Sequence, residues 1–358
     1  MKILFRGTLF VILLIMQVSA FGQTNKETAK QKGERAVTLE DEGKFDDALK
    51  LLDEAIKLDP ASIDYPYETA YCYYNQEKYD KVIDLLTKLK DRDDSIDRLY
   101  QLLGNSYDNI KQTDKAVAIY EEGLKKFPAS GNLYLEMGVI PLIKKDYDKA
   151  LFYFEKGIKA APAVSSNYYW AAKLYCGSTE KMWGMIYGEI FINLERNSKR
   201  TIEISKLLFD TYKSQITFTS ATSAKVSFSN GATIQVVDPK NIKLPYSIIY
   251  EPTLLIAIVN ETSIDLNSLD RIRKKFVDFY FQKEFNKKYP NVLFDYQESL
   301  IKAGHMEAYN HWLLLKGDEA SFNKWQQENK EKWDGFVTWF TANPLSLNND
   351  KKFYREQY

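Results

Sequence analysis

Along the first two hundred positions, apolar and small residues recur at an interval of 34. Pro60, Pro128 and Pro162 stand 68 and 34 residues apart, and Asp94 takes the missing place in the series. Twelve positions before each mark lie Ala48, Val82, Ala116 and Ala150, and eight before lie Leu52, Leu86, Tyr120 and Phe154. Fifteen before lie Phe45, Tyr79, Thr113 and Tyr147. Twenty-four before lie Ala36, Ala70, Gly104 and Gly138, small residues where two helices must cross closely. A period of this length marks helix pairs that cannot cover their own apolar faces and therefore stack on one another. Ala172, Tyr175 and Gly184 keep the register, so a fifth, more diverged repeat runs to about Arg196. The pattern predicts nearly continuous helix over 27–212, with turns near Pro60, Asp94, Pro128 and Pro162.

Beyond the repeats, Asn197-Ser198 reads as the cap of a helix reaching about Tyr212, with Ile204, Leu207 and Leu208 turned to the last repeat. A Ser/Thr-rich link is expected over 217–223. Ala224 to Val237 then reads as a β-hairpin around Asn230-Gly231. A three-residue loop, Ser229 to Gly231, pairs Phe228 with Ala232, Val226 with Ile234 and Ala224 with Val236, putting all six on one face. Helical spacing returns at Ser268–Lys288, with Leu269, Ile272, Phe276 and Phe279 on one side, and across Phe294–Lys316. Gly317 marks a helix end and Asp318 a helix start, leading into Phe322, Trp325, Trp333, Phe336, Val337 and Phe340, with Trp339 off that stripe. The expected fold is mainly α: a solenoid of about five helix pairs with a capping helix over 27–213, then a mostly helical region over 214–358 containing one hairpin at about 224–237.

Segments such as Lys44-Phe45-Asp46-Asp47-Ala48-Leu49 and Asp146-Tyr147-Asp148-Lys149-Ala150-Leu151 resemble the tetratricopeptide repeat (TPR) family, over about 170 residues. Residues 214–358 resemble no family we can name. Pro141 stands where other repeats carry Tyr73, Tyr107 and Tyr175, and a proline inside a helix predicts a kink in repeat four. The resemblance implies that the first helix of each pair lines a concave surface. In repeat two this leaves Tyr67, Tyr71 and Tyr74 as a second stripe at i, i+4, i+7, with Asn75 beside them. Repeat three continues the lining with Gln101, Asn105, Asp108 and Asn109, repeat four with Leu135 and Val139, and repeat five with Tyr169 and Lys173. Tyrosine and amide side chains suit an adaptable binding surface, because they offer area and hydrogen bonds at small entropic cost. Some TPR proteins grip a C-terminal carboxylate with lysine, arginine and asparagine. Only Asn105 matches such a set, and Gln101 stands where a lysine is needed.

The chain's composition narrows its class and location. Its 358 residues are 45% apolar and 14% aromatic, with only 16 glycines and 10 prolines, which excludes disordered and collagen-like classes. Lys+Arg and Asp+Glu number 49 each, so nothing asks for nucleic acid. Lys2 and Arg6 precede the apolar run Leu9–Met16, and Val18-Ser19-Ala20 follows with small residues, the form of a secretory signal over 1–22. The run is shorter than the roughly 20 apolar residues of a membrane span, so an exported protein, periplasmic or secreted and soluble after processing, is expected. Its two cysteines, Cys72 and Cys176, fall about three repeats apart, roughly 25 Å or more against a bridging limit of about 7 Å, and are expected to stay free.

Candidate chemistry is sparse. The two histidines, His305 and His311, are six apart and share no helical face, and no HExxH, GxSxG, GxGxxG or Walker pattern occurs. No metal, cofactor or catalytic residue is nominated and no enzymatic activity is expected. Two functions follow. One is an exported scaffold holding a protein or peptide segment on its concave face. The other is a module binding a glycan or small ligand through its tyrosine-lined groove.

Overall fold

The computed structural model describes residues 24–220, 223–230 and 245–358. The segment read as a secretory signal and residues 231–237 of the expected hairpin lie outside the described residues. Five helix pairs follow one another: α1 (24–41) with α2 (Phe45–Leu58), α3 (Asp64–Asn75) with α4 (Tyr79–Leu89), α5 (Asp97–Asn109) with α6 (Thr113–Lys126), α7 (Gly131–Ile143) with α8 (Tyr147–Ala160), and α9 (Ser165–Gly177) with α10 (Lys181–Leu194). Pro60, Asp94, Pro128 and Pro162 all lie in turns. The chain divides after Pro128, at a repeat boundary, into two compact units.

Packing explains the 34-residue register. Ala36, Ala48, Ala70, Ala116 and Ala150 are fully buried, as are Leu52, Leu86 and Phe154. A Cβ on Gly104 would lie 2.1 Å from Tyr120 Cε1, and one on Gly138 would lie 2.5 Å from Phe154 Cε1, so these crossings admit no side chain. The turn inside each of the first four pairs places one residue in the left-handed region: Gly43 (φ 72°), Glu77 (59°), Lys111 (63°) and Lys145 (61°). That conformation ends a helix and lets the next begin within three residues. Helix α7 runs through Pro141 to Ile143. The proline sits in the last turn, and its carbonyl accepts a bond from Asp146 N at 2.9 Å.

In the second unit, α11 (Lys199–Gln215) starts at a capping box on Ser198 and packs on the fifth pair through buried Ile204 and Leu208. Strands β1 (Ile216–Ser220) and β2 (Ser223–Val226) are antiparallel, with Ile216 opposite Val226 and Phe218 opposite Ala224. Residues 217–220 of the segment read as a link therefore belong to the first strand and Ser223 opens the second, since threonine and serine serve a strand as well as a loop. The chain leaving β2 buries Phe228 beside Tyr212 and Tyr250, at 5.9 Å from each ring.

The helices that follow are α12 (Ser247–Ala257), α13 (Leu266–Gln282), α14 (Phe285–Lys288), α15 (Val292–Lys302), α16 (Met306–Leu314), α17 (Glu319–Glu328) and α18 (Lys330–Ala342). Two single helices expected from spacing are each two. Glu284 (φ 55°) separates α13 from α14, and Gly304 (φ 78°) separates α15 from α16. Asp318 caps α17 by accepting from Ser321 N. Val337 is 42% exposed, whereas Trp339 lies against Tyr296 and His305, so the aromatic stripe of α18 turns further than expected.

Residues 345–358 form a strap back across the repeats of this unit. Phe353 is fully buried beside Trp183 and Tyr246, Arg355 makes a bidentate bond to Glu155 at 2.8 and 2.9 Å, and Lys352 Nζ donates to the Lys159 carbonyl at 3.0 Å. Among the described residues no helix is long and apolar enough to cross a membrane.

Candidate interaction face

Within the first unit, the expected lining falls on one face of α3 and α5, where residues 34 apart stand in equivalent places: Tyr71 with Asn105, Tyr74 with Asp108, Asn75 with Asn109. Tyr71 is 40% exposed, and Asn75 and Asn109 are also exposed. Tyr74 is half-buried, edge-on to Tyr79 at 5.5 Å, and its hydroxyl accepts from Asn109 Nδ2 at 3.0 Å. Asn109 Nδ2 also donates to the Asn105 carbonyl, and Asn75 Nδ2 donates to the Tyr71 carbonyl, both at 2.9 Å. These bonds hold both amides by their Nδ2 groups and leave each Oδ1 as an acceptor.

The other candidates are turned inward. Tyr67 is buried, with the Arg98 guanidinium 5.4 Å over its ring, and burial raises its hydroxyl pKa to about 12. Asn105 Oδ1 accepts from Tyr120 at 2.5 Å, Asp108 Oδ1 accepts from Thr113 at 2.7 Å, and Gln101 is half-buried. In the second unit, Leu135 and Val139 pack half-buried against the core. Tyr169 is buried and donates to Glu203 of α11 at 2.6 Å, while Lys173 pairs with the same carboxylate at 2.7 Å and lies over Tyr169 and Trp170. The capping helix thus occupies these two side chains.

One chemistry-bearing cluster escaped the sequence reading. Arg273 of α13 is 6% exposed and donates to Glu189 at 2.6 Å, Asn310 at 2.7 Å and Tyr212 at 3.0 Å. Glu189 also accepts from Gln297 at 2.6 Å and Tyr309 at 2.8 Å. An adjoining cavity of about 20 Å³ has room for about one water. Every polar arm of the cluster meets another part of the fold, so its role is to join α10 to α11, α13, α15 and α16. The signal in the sequence was Glu189 itself, a lone carboxylate in the apolar run Ile186–Ile192.

His311 is buried, stacks on Trp325 at 4.2 Å and contacts Glu307 and Asn267, and its burial holds its pKa below the usual range. Among the described residues no group of His, Cys, Asp and Glu could hold a metal ion, and Cys72 and Cys176 are buried free thiols.

Residues 41–123 match the family described as anaphase-promoting complex, cyclosome, subunit 3, and residues 131–164 match the tetratricopeptide repeat family. These segments are tetratricopeptide repeats. The chain is 34% identical over 88 residues to the Hsp70-Hsp90 organising protein of Plasmodium falciparum (isolate 3D7), covering 23% of this chain and 16% of that protein. It is 27% identical over 116 residues to the TPR repeat-containing protein YpiA of Bacillus subtilis (strain 168), covering 32% and 25%. The chain therefore spans at most a quarter of the length of these curated relatives. Among solved structures, a thermophilic TPR protein of Thermus thermophilus aligns with a TM-score of 0.43 at 16% identity, covering 50% of this chain and 98% of that one.

Proposed function

We propose that this chain of tetratricopeptide repeats is an exported scaffold that holds an extended protein segment against the face of α3 and α5. The observation that carries the reading is the exposed group Tyr71, Asn75 and Asn109, with both amides held in place and both Oδ1 atoms left to accept. An extended peptide presents backbone N–H donors and side chains, which such a surface meets with acceptors and one open aromatic ring.

A sugar-stacking platform needs several open ring faces. Among the three tyrosines of α3, Tyr67 lies buried under Arg98 and Tyr74 is half-buried against Tyr79 and Asn109, which leaves Tyr71 as the most open of the three. The grip on a C-terminal carboxylate used by some TPR proteins finds no support here: Gln101 supplies no cation and Asn105 Oδ1 is engaged by Tyr120. Export is part of the proposal and rests on Lys2, Arg6 and the apolar run after them.

The test is affinity capture from the native cell envelope with the full chain, a Tyr71→Ala/Asn75→Ala/Asn109→Ala variant and a control, Phe152→Ala, at an exposed ring of the second unit. Specific bands lost with the triple variant and kept with the control are expected. Bands retained by the triple variant would overturn the reading.

A further inference from the structure

The second unit holds a cavity of about 430 Å³ between the start of α11 and the end of α16, within the range of small-molecule sites. Part of its lining is apolar: Ile192, Ile202 and the half-buried Trp312, whose ring is fixed 4.7 Å from Phe340. The rest carries Arg196, Lys199 and Lys316, and no aspartate or glutamate lines it among the described residues. In a chain with equal numbers of acidic and basic residues, three cations in a lining with no carboxylate of its own, Glu319 on Lys316 and Glu195 on Ser198 Oγ being its acidic neighbours, are a local imbalance that favours an anion.

The fold consumes these cations only in part. Lys199 makes no ion pair among the described residues, and Lys316 has only the exposed Glu319 at 3.1 Å. Arg196 spends Nε on the Asn193 carbonyl and Nη1 on the Phe340 carbonyl, which fixes its plane 3.7 Å over the Phe340 ring, while its buried Nη2 has no partner. The first turn of α11, a 17-residue helix, also lines the cavity through Ser198, Lys199 and Thr201, with Thr201 N donating to Ser198 Oγ in its capping box and Ser198 Oγ donating to Glu195.

We propose that this cavity binds a small amphiphilic organic acid, with the apolar body against Trp312, Ile192 and Ile202 and the carboxylate held by Lys199 and Lys316 in the field of the Arg196 guanidinium. The site is separate from the face on α3 and α5 and does not depend on it.

Decanoate and 1-decanol, equal in chain length and different in charge, are the probes, each displacing 8-anilinonaphthalene-1-sulfonate from the full chain. One saturable dye site is expected, with decanoate displacing about tenfold more effectively than decanol. A Lys199→Glu/Lys316→Glu variant should weaken decanoate about tenfold at an unchanged melting midpoint. Ile202 is 50% exposed, so Ile202→Glu should fold and likewise weaken binding. Equal displacement by acid and alcohol, absence of a saturable dye site, or variants that match the parent would each overturn the proposal. The acid-to-alcohol comparison needs no variant, so it decides the matter even where a substitution unfolds the chain.

Discussion

Gly104 lies directly beneath the ring of Tyr120, so close that its own Cβ would sit 2.1 Å from Cε1. The glycine of α5 and the tyrosine of α6 are therefore one packing unit: the missing side chain is the space that the ring fills. Gly104→Ala should destabilise the chain by about 1–3 kcal/mol through overpacking. Adding Tyr120→Leu should recover part of that loss, because the two sites share one contact. Denaturant midpoints of the four proteins in this cycle check it, and strictly additive effects would count against a shared crossing.

The left-handed turn residues give a prediction of opposite sign. Lys111 holds φ 63° with a side chain that this region disfavours, while Gly43 holds φ 72° at the equivalent place without one. Lys111→Gly should stabilise by up to about 1 kcal/mol, less the entropy a glycine gains when unfolded, and Gly43→Ala should cost about the same. Melting curves of both variants at one pH are sufficient.

Glu40 should make stability depend on pH. Its carboxyl is buried between the first two pairs, accepts a bond from Cys72 Sγ at 3.2 Å and lies near Glu68 and Asp41, and burial raises its pKa from 4.5 to about 7. Glu68 is raised as well, and the Cys72 thiol is pushed well above its ordinary value, each chiefly by burial. The folded state therefore holds the Glu40 proton more tightly than the unfolded one. The resulting stability is fully present below pH 4.5 and is lost as pH rises through 7. Glu40→Gln should flatten this slope, which unfolding titrations between pH 4.5 and 7 would measure.

The three tyrosines of α3 should separate by cost. Tyr67→Ala removes a buried ring under Arg98 and should cost about 3 kcal/mol, whereas Tyr71→Ala removes a ring 40% exposed and should cost under about 1 kcal/mol. Equal losses at the two positions would contradict the burial difference.

The repeat register was readable because each small residue answers a large one a fixed distance away. Gly104 with Tyr120 and Gly138 with Phe154 are both sixteen apart, a spacing set inside one helix pair. What the sequence concealed depends on neighbours from elsewhere in the chain. Tyr67, Tyr71 and Tyr74 share a helical stripe, yet Arg98 in the next repeat covers the first and leaves the second open. Tyr169 and Lys173 looked like lining until Glu203 of α11 met them. Gly304 breaks α15 from α16 by its left-handed conformation, within a segment whose apolar spacing reads as one helix. Helix α12 continues through Pro252, and the buried Arg273–Glu189 pair links residues 84 apart.

Finally, Arg355 meets Glu155 across 200 positions. As the chain emerges from the ribosome, each helix pair can close on contacts already made, but this ion pair and the aromatic seat of Phe353 must wait until almost two hundred further residues have followed. Early repeats can thus mature quickly while the second unit stays incomplete, its Glu155 open to water and to other proteins, through most of translation. Ribosome-bound chains arrested before residue 345 should therefore show protease-resistant early repeats and a sensitive α8–α10 region.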